Sequence, residues 1–152
     1  LEDGMSMDLH VCWRGDLAWD RAGLKGALDA LGFEATVLYD FEGTSGFWPI
    51  DLAGCKTGVE VYFDDNLAEL TEMYPELAAA VDGRDKVVNF TWGGNFAEGG
   101  TAFALAAALA KLGDAIIYEP QEAVCLSAAQ SAEEARQFFQ LAKTEGYRAR
   151  DE

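Results

Sequence analysis

The sequence predicts an α+β fold, with duplicated β-α-β-β-α units forming an antiparallel or mixed sheet of about six strands and helices mainly on one face. Three observations lead there. Short runs such as Asp8 to Trp13 and Gly58 to Phe63 alternate apolar and other residues, the period of a strand. Between them lie segments whose apolar residues recur three and four apart, the period of a helix. The segment from His10 onward also lies over that from Asn89 onward without a gap. Trp13 then falls on Trp92, Gly15 on Gly94, Ala27 on Ala106, and Val37-Leu38-Tyr39-Asp40 on Ile116-Ile117-Tyr118-Glu119. The chain is read as one domain over residues 5–152, with pseudo-repeats at 8–83 and 86–146. Leu1-Glu2-Asp3-Gly4, ahead of Met5, is set aside as a leader left by cloning.

In the first half, Asp8 to Trp13 makes a strand with Leu9, Val11 and Trp13 on one face. Asp16 caps a helix running to Leu31, with Leu17, Leu24, Leu28 and Leu31 as its apolar stripe, and Gly32 ends it. Phe33 to Asp40 is rich in strand formers, and Glu42 to Gly46 in turn formers. Phe47 to Ile50 reads as a short edge segment, because Pro49 has no N–H for a ladder. Gly58 to Phe63 is a strand. Asp64 or Asp65 caps the helix after it, and Pro75 divides that helix into two short ones ending at Val81.

The second half repeats the plan. Lys86 to Trp92 is a strand, and Asn95 with Glu98 forms a capping box for a helix to Leu112. Its Ala, Leu and Phe content predicts the most buried helix of the fold. Asp114 to Glu119 and Ala123 to Ser127 form a hairpin around Pro120-Gln121. Ser131 with Glu134 caps a last helix, lined by Ala135, Phe138, Phe139 and Ala142 and stopped by Gly146.

Composition narrows the function. Twenty-seven acidic residues face eleven basic ones, a formal charge of −16. That field repels nucleic-acid phosphates and anionic membranes and favours basic partners. No apolar run approaches the roughly 20 residues of a membrane span, and no secretory signal opens the chain. Cys12, Cys55 and Cys125 are odd in number and far apart, which argues against a disulfide framework and for a reducing cytoplasm. With no CxxC and one histidine, neither a zinc site nor another metal or cofactor is expected.

Strand alternation places His10, Cys12, Glu60, Tyr62, Asn89 and Thr91 on the sheet face turned away from the main helices, where they either meet water or recognise a partner. His10 and Cys12 are neighbours there, but no oxyanion hole or nucleophile elbow accompanies them, so no catalytic residue is assigned. Asp64-Asp65 could hold a metal, and suits a helix cap better. Trp92-Gly93-Gly94-Asn95 could offer backbone N–H groups to an anion, but lacks the Lys and Ser/Thr of a phosphate loop. Phe47-Trp48 is an aromatic pair in a glycine-rich connection and either anchors an interface or covers the core.

The second half, from Trp92-Gly93-Gly94-Asn95 through the alanine-rich helix, Ile116-Ile117-Tyr118-Glu119-Pro120-Gln121-Glu122-Ala123 and the Ser-x-x-Glu helix, resembles small bacterial immunity proteins, the partners of polymorphic or secreted toxins. The resemblance implies a non-enzymatic protein that binds and neutralises one cognate protein toxin. An acidic surface suits a basic toxin. The candidate contacts are Asp64, Asp65, Glu69, Glu72, Phe47, Trp48, His10, Glu60 and Tyr62. The alternative is a small-molecule sensor whose cleft takes an apolar or cationic ligand.

Overall fold

The computed structural model describes residues 6–15, 20–40, 45–64 and 67–151. The strands are β1 (Met7–Trp13), β2 (Ala35–Val37), β3 (Gly46–Leu52), β4 (Cys55–Asp64), β5 (Lys86–Trp92), β6 (Ala115–Glu119) and β7 (Val124–Leu126). They form a seven-stranded sheet in the order β2-β3-β4-β5-β1-β6-β7, antiparallel throughout. The helices are α1 (Arg21–Ala30), α2 (Leu67–Met73), α3 (Pro75–Val81), α4 (Phe96–Leu112) and α5 (Ala128–Glu145). No helix among the described residues is long and apolar enough to cross a membrane.

The α+β class and the antiparallel sheet agree with the sequence reading. One strand more than expected is present. Phe47 to Ile50 belongs to β3, an interior strand between β2 and β4. Pro49 is tolerated because β2 ends at Val37, opposite Ile50, so β3 has no outer partner at Pro49. The strand expected over Phe33 to Asp40 shrinks to three residues of β2.

Helix starts were misplaced at two points. Asp20, rather than Asp16, is the α1 cap, accepting from the Gly23 N–H at 2.7 Å. Asp16 and Leu17 lie outside the described residues. Ser127 and Gln130 form the capping box of α5, one turn before the expected Ser131 and Glu134. Ser131 is buried inside the helix, where its hydroxyl donates to the Phe103 carbonyl at 2.7 Å.

The main core lies between one sheet face and α1, α4 and α5. Leu9, Val11, Val59, Val61 and Phe90 meet Leu24, Leu28 and the long apolar surface of α4. As expected, α4 is the most enclosed helix, buried almost continuously from Ala97 to Leu109. Gly99 and Gly100 allow α5 to approach it closely. A Cβ on Gly100 would stand 2.9 Å from the Phe139 ring, and one on Gly99 would stand 2.8 Å from Phe138 and from Trp92 Nε1.

The overlay of the halves and the strand register meet at one rung, where His10 pairs with Asn89, its counterpart. Further out the halves diverge. β6 pairs with β1, whereas β2, its counterpart, sits at the far edge against β3.

Gly100→Ala should lower stability by a net of about 1–2 kcal/mol, because overpacking outweighs the helix preference of alanine. Urea denaturation measures this; an unchanged midpoint would mean that the Phe139 ring moves aside freely.

Candidate functional site

Register decides what shares the second sheet face. Asp8, His10 and Cys12 stand opposite Thr91, Asn89 and Val87. Thr91, Asn89 and Val87 stand in turn opposite Glu60, Tyr62 and Asp64, and Glu60 opposite Phe47. On the other side, His10 and Cys12 face Tyr118 and Ile116. The expected face is therefore assembled, but it is only half open. α2 and α3 lie over β5, β1 and β6, packing Leu67 and Leu77 on Cys12, Val87 and Tyr118. Among the described residues no helix covers the β3–β4 side of this face, with Phe47, Glu60 and Tyr62.

At the boundary lies a cavity of about 300 Å³, lined by Asp8, His10, Tyr62, Asp64, Glu69, Leu70, Met73, Tyr74, Val87, Asn89 and Thr91. Its wall holds three carboxylates, two phenols and an imidazole, and no lysine or arginine. His10 is the innermost of these groups, only 7% exposed. Its Nδ1 lies 2.6 Å from Asn89 Oδ1. That oxygen can only accept, so Nδ1 carries the proton and Nε2 presents a lone pair. Nε2 is buried and has no hydrogen-bond partner among the described residues. An unsatisfied buried acceptor costs about 1–3 kcal/mol. Thr91 donates to Asp8 at 2.8 Å, and Tyr62 donates to Glu60 at 2.6 Å. The rings of His10, Tyr74 and Tyr118 cluster, with Tyr74 and Tyr118 centred 5.2 Å apart. Tyr118 donates to Glu76, whose carboxyl is held below its usual range by that bond.

Burial pushes the His10 pKa below its ordinary value, against the Asn89 bond and the charge of Asp8. Burial also pushes the Cys12 thiol up to about 12. Cys12 is thus a thiol at neutral pH, and His10 spends its proton on Asn89, so the pair does not form an activated nucleophile. Among the described residues no group of three or more His, Cys, Asp or Glu could hold a metal ion.

The other sequence candidates scatter. Trp48 is 3% exposed and points into the main core, so it cannot contact a partner. Its neighbour Phe47, one residue away and on the opposite face, is 44% exposed. Asp64 is the last residue of β4, opposite Val87, while Asp65, the other expected cap of the helix that follows, lies outside the described residues. Glu69 lines the cavity; Glu72 is exposed on α2 and does not. The glycine turn before α4 is no open anion site, because Asn95 Oδ1 itself accepts from the N–H groups of Ala97 and Glu98. Asp8 and Tyr74 were missed. Asp8 was legible, being two residues from His10 on the same strand face; Tyr74 depends on where α2 docks. Compared with protein-family models, curated proteins and solved structures, the chain matches none.

Because the folded His10 pKa lies below 6.5, the unfolded chain binds a proton that the folded chain refuses between the two values. This contribution to stability is complete above 6.5 and declines as pH falls through the window down to the folded pKa. His10→Gln should flatten the curve of unfolding free energy against pH in that window, whatever it does to absolute stability. A slope equal to that of the parent protein would place the proton elsewhere.

Proposed function

We propose that the protein is a non-enzymatic binding protein that engages a basic protein partner on the uncovered β3–β4 side of its sheet, as an immunity protein neutralises a toxin. The observation that carries this reading is the cross-strand group of exposed Phe47 and Tyr62 with half-buried Glu60. Phe47 and Tyr62 are 44% and 45% exposed, on a strand pair held rigid by seven cross-strand pairs. A Cβ on Gly58 would fall 2.5 Å from the Phe47 ring, so the ring already rests against the sheet. Aromatic anchors that are ordered before binding lose little entropy on docking. Glu60 stands between them, with Asp64 and Glu69 beside them, and a net charge of −16 lies behind them. Such a field speeds encounter with a basic surface. Cys12, Cys55 and Cys125 are free thiols, which suits a reducing cytoplasm.

A partner captured from the source cell should be basic, stoichiometric and released by salt. Expressed alone it should arrest growth, and co-expression of this chain should restore it. Replacing Tyr62 by Ala and Glu60 by Lys should weaken the complex at least about tenfold in a titration. Full rescue by the doubly substituted, folded chain would move the contact to another face.

A further inference from the structure

We propose that the cavity between the β6–β7 edge of the sheet and α5 is a site for a small arylalkyl amine, an aromatic body carrying an ammonium group. Its volume is about 410 Å³, within the range of small-molecule sites. Register builds it. Met7 stands opposite Trp92 across β1 and β5, and Glu119 opposite Val124 across β6 and β7. Glu134 and Phe138, one turn apart on α5, line it from the helix layer. The apolar wall is ordered before a ligand arrives. The Trp92 and Phe103 rings are centred 5.6 Å apart. Phe138 stacks on Phe103 at 5.5 Å and meets Trp92 edge-on at 6.3 Å. Trp92 and Phe103 are nearly buried, whereas Val124 is 40% exposed, so the rings form a floor and Val124 a mouth open to solvent. Such a wall offers a flat apolar body both stacked and edge-on ring contacts. The charge of the lining is of one sign. Among the described residues that line the cavity, Glu119, Glu122 and Glu134 are the charged ones. Glu119 is 8% exposed, and its two oxygens accept from the N–H groups of Gln121 and Glu122 at 2.5 and 3.1 Å. These bonds fix the carboxylate but bring no countercharge. Burial pushes its pKa up against them, and the charges of Glu122 and Glu134 push it further. An anion would meet three carboxylates. A neutral apolar molecule would leave them uncompensated. A metal ion would gain nothing from the rings, and no metal-holding group of His, Cys, Asp or Glu exists among the described residues. An ammonium on an aromatic body answers both the floor and the rim.

The site shares no residue with the Phe47–Glu60–Tyr62 surface and can be tested without a protein partner, so failure to find a toxin leaves it standing. The chain has three methionines, of which Met7 lines this cavity and Met73 the one beside His10. The full chain labelled with ¹³C at the methionine methyls therefore reads the two cavities separately, once Met7→Leu and Met73→Leu have assigned the signals. Probes of similar shape, 2-phenylethylamine, 2-phenylethanol and 3-phenylpropionate, would be titrated separately at neutral pH and equal ionic strength. The amine should move the Met7 signal saturably, leave Met73 in place, and bind at least about tenfold more tightly than the alcohol. The carboxylate should move neither signal. Glu122→Gln with Glu134→Gln, both at exposed positions, should remove most of the preference for the amine and leave the affinity for the alcohol as it was. Val124→Arg, at the exposed mouth, should abolish the response to the amine by setting a cation of the chain in its place. A Met7 signal unmoved by the amine, or moved at equal affinity by the alcohol, would overturn the proposal. So would movement of Met73 together with Met7, the mark of general attraction to an acidic surface, or an undiminished preference for the amine in the folded double variant.

Discussion

Every other part of the molecule is arranged around the antiparallel pairing of β1 with β5. The seven cross-strand pairs of these strands set Leu9 and Val11 against Phe90 and Val88 on one face. They set Asp8, His10 and Cys12 against Thr91, Asn89 and Val87 on the other. A slip of one residue would exchange the two sets. It would put an imidazole and two polar amino acids under α4, whose buried surface is alanine, leucine, phenylalanine and glycine apart from Thr101. The register is thus fixed by the main core, and the polar rung at its centre follows from it. His10 and Asn89 satisfy one atom each in that rung.

The distribution of charge follows a similar logic. The arginines tie the fold together away from the candidate site. Arg14 and Arg84 converge on Asp114, at 2.7 and 2.5 Å, joining the ends of β1 and α3 to the start of β6. Arg150 reaches Asp51 at 2.6 Å and the carbonyls of Ile50 and Thr57, fastening the C-terminal segment to β3 and β4. Arg136 bonds Glu133 and the Leu31 carbonyl, bridging α5 and the end of α1. Among the described residues that line the cavity beside His10, Asp8, Asp64 and Glu69 are the charged ones. The self-repulsion of such a surface is moderate at physiological salt, where screening acts within about 8 Å, and a basic ligand would relieve it.

Much of this was legible in the sequence, and the errors share a cause. β1, β5 and the β6–β7 hairpin could be read because their strand formers run between strong stops, and α4 because its apolar run lies between Asn95 and Gly113. Pro49 was given too much weight. It can sit inside an interior strand wherever the neighbouring strand has already ended, which the sequence does not show. That error carried Trp48 with it. Once Phe47 to Leu52 is a strand, alternation sends Phe47 and Trp48 to opposite faces, and only one of them can meet a partner. The α5 start was displaced by a turn because Ser127-x-x-Gln130 and Ser131-x-x-Glu134 are both capping patterns. Which one prevails depends on the Phe103 carbonyl, a tertiary acceptor that takes the Ser131 hydroxyl into the core. Face assignment survived these errors because parity along β1, β4 and β5 was right. The cavity did not appear at that stage, because it needs the docking of α2.

The position of the cavity follows from helix length. Pro75 divides the connection between β4 and β5 into two helices of seven residues, each only about 10 Å long at 1.5 Å per residue. Seven strands spaced about 4.8 Å apart make a face nearly 30 Å wide. Two such helices can cover the β5–β1–β6 centre and cannot also reach β3. The sheet therefore passes from a packed region, where Cys12 and Tyr118 are sealed, to an open one, where Phe47 and Tyr62 meet water. The margin between the two regions is where a polar side chain can be buried on three sides and still face an opening. His10 occupies that margin. An unbroken helix across the same connection would run close to twice as long and would leave no room above Asn89 and Thr91. The proline thus does more than end a helix, because it sets how far α2 and α3 extend over the sheet.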